Sequence, residues 1–145
     1  MEGRTRMSTD TRPELSKKNK FWIEKHRYYE LKHFCLQYPI WVKAAAGLSG
    51  LGSRPDLNDI FIRSGGTGDP THKVAEAREY YLDRIAMIEK AAITVDPSLS
   101  DFIVVAVTEN RSYHYLNTVL GIPCCKDVYY NAYREFFWNL NKLRG

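Results

Sequence analysis

Apolar and polar positions change their rhythm several times along the chain, and each change predicts an element. Residues 1–19 hold almost no apolar side chains but many Ser, Thr, Lys and Arg, which predicts a flexible basic arm unable to fold alone. From Lys20 the pattern becomes helical. Phe21, Tyr28, Leu31, Cys35 and Tyr38 recur at spacings of seven, three, four and three and so fall on one stripe. Pro39 is expected to end that helix, and Ile40 to Leu48, with Trp41 and three alanines, to form a short second one. Gly47 to Gly68 then brings six glycines and Pro55 around one short apolar run, Asp59-Ile60-Phe61-Ile62, so 49–68 reads as a Gly-rich loop.

Asp69-Pro70 and Asp96-Pro97 are helix-start signals, because the carboxylate caps free N–H groups and proline fits the first turn. After the first, Val74, Ala77, Tyr81, Ile85, Ile88 and Ala92 step by three or four and predict a helix of about 25 residues. After the second, a helix from Pro97 to about Thr108 carries Phe102, Ile103, Val105 and Ala106. Ser112 then offers an N-cap for two helical turns to Leu120, with Leu116, Val119 and Leu120 expected inward. Gly121 can take the left-handed conformation that stops the helix, and Pro123 keeps it from resuming. A last helix should run from Cys124 to about Leu143. At about 100° per residue it puts Val128, Tyr129, Ala132, Tyr133, Phe136, Phe137 and Leu140 on a buried half. Asp127, Tyr130, Asn131, Arg134, Trp138 and Asn141 take the other half. The fold class expected is therefore all-α: a small helical domain over 20–145 with a C-terminal helix-turn-helix at 112–143.

Composition narrows what such a domain can do. Hydrophobic residues at 44% and charged ones at 26% suit a soluble globular chain, and the longest uncharged apolar stretch near the middle, Phe102 to Val107, is too short to span a bilayer. The basic N-terminus lacks the apolar core of a secretory signal, so a cytoplasmic location is expected. Residues 1–33 hold nine Lys and Arg against five Asp and Glu, residues 34–110 seven against ten, and residues 111–145 five against two. Both ends are basic, as an anionic partner would require.

Several constellations invite chemistry and point away from it. Cys35, Cys124 and Cys125 are an odd number without export signals and are expected to be free thiols. No second C-x-x-C accompanies Cys124 and Cys125, and His114 lies ten residues from Cys124, so no metal is expected. A catalytic thiol would need an oxyanion site that the sequence does not suggest, and no enzyme is expected. Ser-Gly-Gly-Thr-Gly at 64–68 lacks the lysine and serine of a phosphate-binding loop. His26 and His33 share a stripe as solvated or core residues, Glu76 and Glu79 form a solvated face, and no cofactor is expected. The pairs Tyr28-Tyr29, Tyr80-Tyr81 and Tyr129-Tyr130 each put one ring toward the core and one toward its boundary.

The start of the last helix is different. Cys125, Lys126, Tyr130, Asn131 and Arg134 are side chains that a recognition helix uses: Lys and Arg for guanine edges or phosphates, Asn for adenine, small or aromatic groups for thymine methyls. Small thiols at Cys124 and Cys125 would let the backbone approach a phosphate, with a pKa lowered by the helix N-terminus. Asp127 would read a cytosine amino group or cap the helix. Arg111, Lys126, Arg134, Lys142, Arg144 and the arm are expected to neutralise phosphates, and Tyr130, Asn131 and Arg134 to touch base edges.

"DPTHKVAEAREYYLDRIAMIEKA" and "SYHYLNTVLGIPCCKDVYYNAYREFFWNL" then make a resemblance visible. Over roughly residues 20 to 143 the chain resembles phage and prophage late-gene transcription regulators of the RinA/ArpU type, whose end is similar to the fourth region of sigma factors. The resemblance implies a non-enzymatic, sequence-specific DNA-binding protein acting with RNA polymerase. By motif position its second helix would be Cys124 to Leu143, with Cys125, Lys126, Tyr130 and Arg134 facing duplex DNA. The alternatives are a phage-encoded interaction module that binds or inhibits a host protein through an aromatic patch at Trp22, Trp41 and Trp138, or a small DNA-packaging subunit, which would be a homo-oligomer.

Overall fold

A computed structural model of the chain describes residues 18–48 and 70–145, and all regular structure among them is helical. The elements are α1 (Lys25–Leu36), α2 (Tyr38–Gly47), α3 (Pro70–Val95), α4 (Ser100–Glu109), α5 (Tyr113–Thr118) and α6 (Lys126–Arg144). No helix among the described residues is long and apolar enough to cross a membrane. The expected arm up to residue 17, the loop 49–68 and the Asp69 cap lie outside the described residues. The described residues fall into two compact units. One draws on described residues of 18–36 and 87–145, the other on those of 37–48 and 70–86. Helix α3 contributes to both.

In the second unit, α2 buries Trp41, Ala45 and Leu48, spaced by four and three, and leaves Ile40 and Val42 in solvent. Pro39 does not separate two helices by stopping the first. It sits in the first turn of α2, where its missing N–H is not needed. Tyr38 accordingly begins α2, and Phe21 lies in a turn ahead of α1.

The first unit carries the core. Tyr28, Leu31, Phe34 and Cys35 line one side of α1, Ile88, Ala91 and Ala92 end α3, and Ile103, Ala106 and Val107 line α4. Leu116 comes from α5, and Tyr129, Ala132, Phe136, Phe137 and Leu140 from α6. α1 packs on α4 and α6, and α4 packs on α5 and α6. Each such large apolar side chain taken fully out of water contributes about 1.5–3 kcal/mol. The core includes polar groups with defined partners: the Tyr28 and Tyr133 hydroxyls lie 2.8 Å apart. Asn139, also buried, donates from Nδ2 to the Ala91 carbonyl at 3.3 Å.

Helix ends depart from expectation for local reasons. Asp96 does not start α4 directly: its Oδ1 accepts the Ser98 N–H at 2.9 Å and the Ser98 hydroxyl at 2.8 Å, folding 96–99 into a turn. The helix then begins at Ser100. At its other end Asn110 takes the left-handed conformation (φ 57°), and the Arg111 N–H returns to the Ala106 carbonyl at 3.0 Å.

Candidate nucleic-acid interface

Ser112 caps α5 as its sequence suggests, its hydroxyl accepting the Tyr115 N–H at 3.2 Å. The helix is shorter than expected, ending at Thr118, and this changes which side chains turn inward. Leu116 is fully buried, but Val119 and Leu120 are 61% and 39% exposed. Their place is taken by Ile122, whose N–H reaches back to the Leu116 carbonyl at 3.0 Å and whose side chain is buried. That reversal requires Gly121 at φ +69°, where a side chain would be strained although no atom stands in its way. The Tyr113 hydroxyl closes the corner by donating to the Cys124 carbonyl at 2.8 Å, and its ring lies 5.5 Å from that of Tyr129.

α6 starts at Lys126, with Cys125 as an extended N-cap that makes no side-chain cap bond. Asp127 stands in the first turn, where a carboxylate is favoured by the helix dipole. Cys125, Lys126, Asp127, Val128 and Asn131 are exposed, and Tyr130 and Arg134 partly so. Val128, expected on the buried half, is 47% exposed in the first turn of α6, although Tyr129 beside it is buried against Tyr113. It is the residue at this surface that the helical projection misassigned, and its place at the very start of the stripe was the available signal.

The structure thus brings Cys125, Lys126, Tyr130, Asn131 and Arg134 onto the opening turns of α6. Arg134 Nη1 donates to Asn131 Oδ1 at 3.3 Å, and Lys126 Nζ lies 5.9 Å from the Tyr130 ring centroid. Arg111 is exposed just ahead of α5, its guanidinium 4.3 Å over the Tyr115 ring and its Nε 3.5 Å from Glu109. Lys142 and Arg144 are not part of this group. At 1.5 Å per residue they lie about 24 and 27 Å further along the axis than Lys126. Arg144 is engaged there, over the Phe34 ring at 4.2 Å and 3.5 Å from Glu30.

Cys124 corrects the expectation of an acidic thiol. It precedes the N-cap instead of facing the free N–H groups, and burial pushes its pKa up, helped by Cys125 and Asp96. The three cysteines are free, and no group of three or more potential metal ligands occurs among the described residues. Comparison with protein-family models, with curated proteins and with solved structures finds no match to this chain.

Proposed function

We propose that the chain binds duplex DNA through α5, the Gly121 turn and α6, as a non-enzymatic transcription regulator of phage or prophage origin acting with RNA polymerase. One observation carries this reading. The helix-turn-helix is closed on its inner side by Leu116, Ile122 and Tyr129, while the opening turns of α6 stand in solvent with Lys126, Asn131 and Arg134 on them. Lys126 and Arg111 neutralise phosphates, Asn131 and Arg134 contact base edges, and the exposed Val128 offers an apolar contact to a thymine methyl. The resemblance of residues 20 to 143 to late-gene regulators supports the same assignment, and sequence-specific readout follows from it.

The test is duplex affinity as a function of salt, using a site selected from a random pool. Binding should weaken linearly on a log–log plot, and Arg134→Ala or Asn131→Ala should cost about 1–3 kcal/mol at the selected site. No binding at about 50 mM salt, or a flat salt dependence, overturns the proposal. Replacing Cys124 and Cys125 together by serine should leave binding intact.

A second reading, a module that binds a host protein, is favoured by exposed Val119, Leu120 and Val128 in the helix-turn-helix segment. It does not gain the three-tryptophan patch expected of it, because Trp41 is 5% exposed. Alanine at Val119 and Leu120, which lie outside the proposed base contacts, would abolish capture of such a partner while leaving duplex binding within a few fold.

A further inference from the structure

The C-terminal part of α6 meets the segment ahead of α1 in a surface quite unlike the opening turns. Asn19 folds that segment back: its Oδ1 accepts the Phe21 N–H at 2.8 Å and its carbonyl accepts the Trp22 N–H at 3.0 Å. This sets the Phe21 ring 6.2 Å from the Trp138 ring, tilted by 56°. An ammonium group lies over each ring, Lys20 Nζ 5.0 Å from the Phe21 centroid and Lys142 Nζ 5.9 Å from that of Trp138. Both rings are partly exposed, and both lysines are exposed.

Neither ammonium is neutralised: among the described residues, Lys20 and Lys142 make no ion pair. The acids of α1 and its lead-in have other work. Glu24 accepts the His26 and Arg27 N–H groups at 2.9 and 3.2 Å, capping α1, and Glu30 lies between Arg27 and Arg144 at 2.7 and 3.5 Å. Among the described residues this leaves two cations without an ion pair, each over a partly open aromatic ring.

We propose that Lys20, Phe21, Trp138 and Lys142 form a second binding surface, one for single-stranded nucleic acid. The two ammonium groups meet phosphates of one strand, and an unpaired base stacks at the Phe21–Trp138 rings. The combination selects a single strand because in a duplex the base faces are already covered, so the rings would add nothing to the lysines. Lys142 is thereby reassigned from the duplex interface. The proposal is independent of the duplex reading and goes beyond it.

Fluorescence anisotropy with a labelled oligothymidylate of about 12 nucleotides tests it, on the full chain at about 50 mM salt. The double variant Lys20→Ala/Lys142→Ala should bind at least about tenfold more weakly, with a log–log salt slope smaller by about 1.4. Trp138→Leu should weaken binding about fivefold or more, whereas Trp138→Phe, which keeps a ring, should restore most of it. Asn131→Ala should leave it unchanged. Absence of binding by the unaltered chain, or equal binding by a double variant with unchanged circular dichroism, overturns the surface. Duplex binding that survives in that case leaves the helix-turn-helix reading standing; oligothymidylate binding without duplex binding sinks that reading alone.

Discussion

The two halves of α6 are one continuous helix with opposite surroundings. From Lys126 to Arg134 most side chains reach solvent, and only Tyr129 and Ala132 are buried. From Phe136 onward the helix is clamped. Phe136, Phe137 and Leu140 are fully buried, Asn141 Oδ1 accepts the Arg27 Nε–H at 2.6 Å, and Arg144 is held by Phe34 and Glu30. The difference teaches how a small domain can present polar side chains rigidly. The closed half supplies the packing energy, and helical continuity carries its order to the open half, which needs few contacts of its own.

The sharpest way to break that comparison is at the closed half. Phe137→Ala should lower unfolding free energy by about 3–5 kcal/mol in urea titrations, since its ring is enclosed by Tyr28, Tyr133 and Phe136. The corner between α5 and α6 comes next. Gly121→Ala should cost about 1–2 kcal/mol, from backbone strain alone, because the site is open.

Cys35, facing the closed half from α1, gives the alkaline counterpart. Burial pushes its thiol far above the ordinary range, so at high pH the unfolded chain releases this proton and the native one does not. Its contribution is complete below about 8.5, the unfolded value, and declines as pH rises above that, by up to about 1.4 kcal/mol per pH unit. Cys35→Ala should flatten this part of the stability profile. Smallest of all, Asn131→Ala on the open half should change stability by no more than about 0.5 kcal/mol, so that any loss of duplex affinity reports the interface and not the fold.

The order of helices was legible from periodicity, and the Ser112 cap from residue type, because both are local properties. The Gly121 reversal was legible too, but not that Ile122 would displace Val119 and Leu120 from the core: which apolar residue turns inward depends on where α5 stops. Asn110 carried no visible sign of its left-handed cap, since asparagine is common in loops of every kind. The candidate interface was readable on α6 as far as Arg134. That Lys142 and Arg144 stand at the far end of the same helix was not legible, because a list of cations contains no distances, and Arg27, Glu30 and Phe34, which hold that end, lie over 100 positions away in the chain.

Asn139 has a consequence for alignment. Apolar side chains grip almost equally well when a helix slides along its neighbours by a turn, so grease alone leaves the axial position of α6 loosely chosen. Its buried amide can reach the Ala91 carbonyl from one axial position only. A slide of four residues in either direction would bring Glu135 or Leu143 there, neither of which offers a proton to that oxygen at neutral pH, and this single amide therefore helps index how far the open turns project.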